Sequence, residues 1–166
     1  MVFIINSAPG VGKSTLLKGL QDKLHKGFAL LDGDDIGRIV PLENTNDWLN
    51  LIQDNMVSCC INFRKYDKRN IVLGFVFPSE ERIQRLKGLL QNEGFDVCHI
   101  TLFCQDNEVE RRIKERNTSK LVGISKAIEH NQKIKEMKSD YQLDTTTLNK
   151  DEVSNSVCNF LVSSIL

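Results

Sequence analysis

The stretch Ser7-Ala8-Pro9-Gly10-Val11-Gly12-Lys13-Ser14-Thr15 constrains this chain more than any other. It follows Val2–Asn6, a short apolar run rich in β-branched residues. It precedes Leu16, Leu17, Leu20 and Leu24, which fall on one helical stripe with Gly27 as the expected C-terminal cap. A glycine loop between a strand and a helix is the context that the pattern G-x-x-x-x-G-K-[ST] requires. Gly12, Lys13 and Ser14 match that pattern, and Ser7 stands where its first glycine would be. Glycines let backbone N–H groups turn inward around phosphate oxygens, and the helix N-terminus adds a favourable dipole. The motif therefore predicts a nucleotide site made by Pro9, Gly10, Val11, Gly12, Lys13, Ser14 and Thr15. Lys13 would reach the β/γ-phosphates and the Ser14 hydroxyl would ligate Mg²⁺. A bare glycine-rich turn with an exposed lysine is the competing reading, and the flanking strand and helix argue against it.

Beyond the loop, apolar runs alternate with helical periodicity. Phe28–Asp32 reads as a second strand, ending in acidic residues and Gly33. After a short segment at Asp35–Val40 and a break at Pro41, a helix is expected from about Asp47, on the spacing of Trp48, Leu49, Ile52, Met56, Cys59, Cys60 and Phe63. Ile71–Phe77 is apolar except for Gly74 and reads as a strand buried on both faces. Pro78 stops it, and Ser79 is placed to cap a helix that carries Ile83, Leu86, Leu89 and Leu90 and ends at Gly94. Val97–Cys104 is a fourth strand, and Asp106 is expected to cap a charged helix holding Val109 and Ile113. Ile124–Met137 reads as a helix, Tyr141–Thr146 as a fifth strand and Asp151–Leu166 as a closing helix. Strands separated by helices predict an α/β domain spanning 1–166, with a five-stranded parallel sheet covered on both faces and right-handed crossovers.

Charge and composition exclude several classes. Lys plus Arg and Asp plus Glu both number 22, so no long-range field favours nucleic acid or an anionic membrane. No run of ~18 apolar residues suggests a membrane span. The apolar start, without a basic flank, reads as a strand and not as a signal peptide. The 5 cysteines form no CxxC pair and mostly sit in apolar segments, so a reduced, cytoplasmic protein is expected. Core packing is favoured over redox chemistry for Cys59-Cys60. A monomer and a homodimer both stay open.

Ser7–Leu17 followed by Leu31-Asp32-Gly33-Asp34-Asp35 resembles the small P-loop kinases related to shikimate, gluconate and nucleotide kinases. It also resembles the antibiotic phosphotransferases built on that core. The resemblance covers most of the chain in length and element order. It implies a three-layer P-loop NTPase fold, a substrate-binding helical region at about 36–68 and a short lid at about 111–125. It further implies ATP and Mg²⁺ as cofactors and a small-molecule phosphoryl acceptor. Asp32 would act on the metal through bound water, and Asp34 would orient or deprotonate the acceptor. In an open parallel sheet both carboxylates lie at the strand ends, where ligands bind. Arg38 would grip an anionic substrate or is a surface arginine, and the sequence leaves that even. Asn50, Gln53, Asp54 and Asn55 are expected on the exposed face of the substrate helix.

Arg112 and Arg116 lie four apart in Glu110–Asn117 and share a helical face. The resemblance implies a lid whose arginines close over ATP and stabilise the transferring phosphoryl group, giving both a catalytic and a nucleotide-binding role. A solvated amphipathic helix is the plain alternative. Asp144-Thr145-Thr146 is similar to the segment bordering the adenine in those kinases. No acidic residue closes the Ile71–Phe77 strand, so metal organisation rests on Ser14, Asp32 and Asp34. Asp34-Asp35-Ile36-Gly37 and Asn149-Lys150-Asp151-Glu152 mimic GTPase motifs but stand at the wrong places. A non-catalytic ATP-binding module shares every loop residue. A nucleic-acid 5′-hydroxyl kinase would need a basic, aromatic stripe that the sequence lacks.

Overall fold

The computed structural model describes residues 1–25, 27–40, 45–116 and 123–165, with the side chain of Arg116 outside that set. Among the described residues, five strands, β1 (Val2–Ser7), β2 (Phe28–Asp32), β3 (Asn70–Phe75), β4 (Val97–Phe103) and β5 (Tyr141–Asp144), are interspersed with six α-helices. The helices are α1 (Lys13–Gln21), α2 (Asn46–Lys65), α3 (Glu80–Asn92), α4 (Asp106–Arg116), α5 (Ile124–Glu136) and α6 (Lys150–Ser163). A 3₁₀ turn at Gly33–Asp35 follows β2. The sheet is parallel throughout, in the order β2-β3-β1-β4-β5. Central β1 is buried along its whole length, as expected of a parallel strand covered on both faces.

Neighbouring positions on a strand point to opposite faces. An added Cβ at Gly74 would meet Lys13 and Leu17 of α1, whereas the Phe75 ring lies with Met56 of α2 against Gly33. Helices α1 and α2 therefore cover opposite faces, and α6 packs beside α1. Ser79 and Thr45 cap α3 and α2 as short polar N-caps. Asn149 and Glu152 form a reciprocal capping box on α6, which accounts for the GTPase-like tetrapeptide by helix chemistry. Among the described residues no helix is long and apolar enough to cross a membrane.

Several boundaries differ from expectation, each for a visible reason. Helix α1 stops at Gln21, so Leu24 lies beyond it. Gly27 (φ +105°) is not its cap; it leads into β2, and its carbonyl accepts from the Asn70 N–H. Strand β3 stops at Phe75 because the buried Asn6 amide takes over the ladder. Its Nδ2 donates to the Phe77 carbonyl (3.0 Å) and its Oδ1 accepts the Phe77 N–H (2.9 Å). Strand β5 stops at Asp144, whose carboxylate folds back onto the Thr146 N–H. Asp106 is the first residue inside α4, and its carboxylate is taken by Asn131 and Gln132. The expected polar face of α2 is a seam. Gln53 is fully buried and donates to the Arg82 carbonyl, Asn50 and Asp54 accept from Arg82 and Arg85 of α3, and Asn55 donates to the Ile36 carbonyl.

Burial raises the thiol pKa of Cys59, Cys60, Cys98 and Cys104, with Cys60 pushed up to about 12, and all five cysteines are free. Cys60 has the packing role expected of it, fully buried in the core, whereas Cys59 is only half-buried.

Candidate active site

The loop between β1 and α1 lies at the carboxyl edge of the sheet, where the strand order places the ligand crevice of an open α/β fold. Gly12 (φ +116°) occupies the N-cap of α1 in a left-handed conformation, and no side chain caps this helix. An L side chain at such a φ is strained, so the requirement for glycine comes from the backbone itself. The first-turn N–H groups of a helix have no partner within that helix, which leaves this end suited to an anion. Gly10 (φ +88°) is needed for a second reason. A Cβ there would lie 2.8 Å from Ile113 Cγ1 of α4. Ala8 and Val11 are buried, Pro9, Gly12 and Thr15 are half-buried, and Ser14 is exposed.

Lys13 is 6% exposed, and its ammonium is held by Asp32 Oδ1 at 2.6 Å, with Asp34 Oδ2 at 3.6 Å. Asp32 Oδ2 accepts from Ser14 Oγ at 3.0 Å, and Oδ1 also takes the Asp34 N–H at 3.2 Å. One carboxylate thus gathers the lysine, the hydroxyl and the turn after β2. Asp34 is 60% exposed and faces solvent beside the lysine. Arg38 is exposed, touching the Asp34 carbonyl through Nε (3.4 Å) and Asp35 (3.6 Å). Trp48 donates to the Gly37 carbonyl at 2.6 Å and meets Phe75 edge-on, so α2 fastens the segment that follows Asp34.

On the other side of the loop, Arg112 of α4 is spoken for within the chain. Its Nη1 donates to the Val11 carbonyl and to Thr145 Oγ1 (both 3.0 Å), its Nη2 to the Thr145 carbonyl (2.6 Å), and its Nε to Glu108 (2.6 Å). Glu108 also binds Arg111, and these arginine hydrogen bonds hold its carboxyl at about 2, well below the usual carboxylate range. The Arg116 side chain and residues 117–122 of the expected lid lie outside the described residues. Lys13, Ser14, Asp32 and Asp34 are therefore gathered at one point, with Arg38 at its rim, while Arg112 reaches the back of the loop.

Three participants had no role in the sequence reading. Gly74 lets the lysine stem pass, because a Cβ there would stand 3.2 Å from both Cγ and Cδ of Lys13. Its signal was present: a lone glycine in an apolar strand marks close approach. Glu108, one turn before Arg112, is the anchor of that arginine, and i,i+4 spacing could have suggested it. Asn6, the polar residue closing an apolar strand, fixes the exit from β3.

Residues 2–144 match the model of the AAA domain family, and the chain belongs to that family. Comparison with curated proteins finds no match. Among solved structures, the chain is similar to the tunicamycin resistance protein of Deinococcus radiodurans. That pair shares 18% identity and a TM-score of 0.71 over 99% of this chain and 94% of the other. A gluconokinase from Sinorhizobium meliloti is similar at 13% identity and a TM-score of 0.70, over 98% and 92%. The APS kinase of Mycobacterium tuberculosis, solved with AMPPNP and APS, is similar at 18% identity and a TM-score of 0.71, over 98% and 96%. At such identities the fold is what is shared, and it is the P-loop fold that the resemblance implied.

Proposed function

We propose that this chain transfers the γ-phosphoryl group of ATP to a hydroxyl or phosphate group of a small-molecule acceptor. The observation that carries the reading is a buried lysine at the head of a helix without a side-chain cap, held by the carboxylate that also binds the adjacent serine. A buried ammonium needs a counter-charge, and a phosphate can replace the carboxylate without leaving Lys13 unpaired. The hard oxygens of Ser14 and Asp32, 3.0 Å apart, suit Mg²⁺, which favours oxygen ligands and keeps several waters. When bound, the metal supplies charge neutralisation at the phosphate oxygens.

The residues then divide the work. Loop amides and Lys13 hold the phosphates, and Ser14 and Asp32 hold the metal. Asp34, beside the lysine and open to solvent, orients the acceptor and takes its proton. Arg38 at the rim meets an anionic acceptor group, and Arg116 is assigned to the transferring phosphoryl group. Phosphoryl transfer of this type rests on positioning and electrostatics more than on covalent chemistry. The free thiols support a reducing, cytoplasmic setting.

The test combines a thermal-shift screen of acceptors, with Mg²⁺ and a non-hydrolysable ATP analogue, with coupled ADP release. ADP release dependent on an acceptor supports the kinase reading, and ATP binding without transfer across a broad panel favours the non-catalytic module. Lys13→Ala abolishes nucleotide binding, and unaltered ATP affinity and turnover in that variant would overturn the site. Asp34→Asn spares ATP binding and slows turnover by about 10²- to 10⁴-fold, the usual contribution of a general base.

A further inference from the structure

We propose that Arg112 and Glu108 form a strut that sets the shape of the phosphate loop, making Arg112 a positioning residue and not a ligand delivered to ATP from a lid. The proposal rests on the nucleotide site described above and deepens it.

Arginine has five N–H donors. Four of them are committed here: the one on Nε, the two on Nη1 and one on Nη2. Their acceptors belong to three separate parts of the chain, namely the loop, α4 itself and the residue after β5. The side chain of Arg112 is 18% exposed and that of Glu108 14%, so water competes little for these bonds. Reaching out to a phosphoryl group would break bonds at several acceptors, two of them buried.

The contact to the Val11 carbonyl has a direct consequence for phosphate binding. A peptide unit is planar and trans, so its C=O and N–H point in opposite directions. Holding the Val11 oxygen toward Arg112 turns the N–H of Gly12 the other way. That N–H stands at the head of α1, next to Lys13. Gly12, with no Cβ and open space where one would stand, offers no side-chain resistance if this peptide rotates. The strut supplies the restraint that the glycine lacks.

Its far end is equally fixed. Thr145 is buried, its N–H and Oγ1 both donate to the Phe103 carbonyl (2.8 and 3.1 Å), and its own carbonyl receives Arg112. The loop is thus braced against the ends of β4 and β5 through one guanidinium. Glu108 keeps that guanidinium in plane, and its other oxygen is anchored by Arg111 at 2.8 Å.

Calorimetric titration of ATP and of inorganic tripolyphosphate into the wild-type protein, Glu108→Gln and Arg112→Lys tests the strut. Glu108→Gln is nearly isosteric, and its unfolding temperature is measured alongside. The expected result is a loss of roughly tenfold in Glu108→Gln, where one charge-assisted bond is weakened, and at least that much in Arg112→Lys, which cannot span all the acceptors; in each variant the loss is the same for ATP and for tripolyphosphate. The KM for ATP rises in step and the KM for the acceptor does not move. A direct phosphate ligand predicts a different result for Glu108→Gln, because freeing Arg112 from Glu108 would leave binding unchanged or make it tighter. Either outcome overturns the strut while leaving the nucleotide site standing. Loss of ATP binding with tripolyphosphate unaffected also overturns it, since that marks a contact to the base. A wild-type protein that binds neither ligand removes the nucleotide site and the strut together.

Discussion

Replacing Asp32 by asparagine is the sharpest probe of the resting site, because Asp32 is expected to stabilise the free protein and to oppose metal-free nucleotide. Lys13 and Asp32 are 6% and 17% exposed and meet at 2.6 Å. Breaking a buried ion pair from one side costs about 3–5 kcal/mol. Two features reduce that figure here. Asp34 remains 3.6 Å from the ammonium, although as a 60% exposed partner it contributes under about 1 kcal/mol. The asparagine carbonyl also still accepts a hydrogen bond from Lys13. A net cost of about 2 kcal/mol follows, which moves the urea midpoint by about 1 M at an ordinary denaturant slope. Trp48, the chain's one tryptophan, reports the transition by fluorescence, since it is half-buried and bonded to the Gly37 carbonyl. ATP with EDTA should bind Asp32→Asn several-fold more tightly than wild type, because Lys13 no longer has to leave a carboxylate and one negative charge beside the phosphates is gone. Adding Mg²⁺ reverses the order, as the variant has lost a metal-side oxygen. An unshifted urea midpoint, or metal-free ATP bound no better than by wild type, would refute the idea that Asp32 stands in for the phosphate.

Gly19→Ala tests the packing of α1 on α6. The new Cβ would overlap Ser154 Oγ, so unfolding free energy should fall by about 1–3 kcal/mol, and adding Ser154→Ala should restore most of it in the same urea experiment. Stability should also depend on pH in two windows. Burial lowers the pKa of His99, whose Nδ1 bonds the Lys138 carbonyl, and that of His130. The unfolded chain therefore takes up protons first, near 6.5, and stability declines as pH drops through that value; His99→Gln should flatten this slope. Glu108 behaves as a depressed carboxyl, so its contribution is complete above 4.5 and is lost as pH falls toward about 2, a slope that Glu108→Gln removes.

The order and type of every described strand and α-helix were legible in the sequence, because both signals involved are local; the 3₁₀ turn at Gly33–Asp35 was not. Apolar strands buried on two faces and helical stripes at three- and four-residue steps declare themselves within ten or so residues. Some departures were local, as where the Asp144 carboxylate takes the Thr146 N–H and ends β5, but the larger ones arose where a distant partner overrode a local preference. Gln53 illustrates this. A polar residue on a helix was read as exposed, yet it is fully buried because a carbonyl and a guanidinium of α3, 29 and 32 positions away, satisfy it. The end of β3 moved for the same reason, since Asn6 bonds Phe77 across 71 positions.

The site divides along the same line, and its geometry rests on strand register. Lys13, Ser14, Asp32 and Asp34 were legible because a contiguous motif and the end of the next strand bring them together. What readies the lysine was not, since it depends on which β3 residue stands beneath it. Gly74 pairs with Ile5 on one side and with Asp32 on the other. One position therefore lies level with both the strand that launches the loop and the carboxylate that receives the ammonium. A one-residue slip of β3 would reverse its faces and set Leu73 or Phe75 at that level. Either side chain would then occupy the space through which the Lys13 stem reaches Asp32. Arg112 depends on register as well, because Thr145 meets it only where β5, aligned by the Phe103–Asp144 pair, ends beside β4. The phosphate loop is thus shaped by strand ends on both sides of β1, and a local motif shows the loop without showing what holds it.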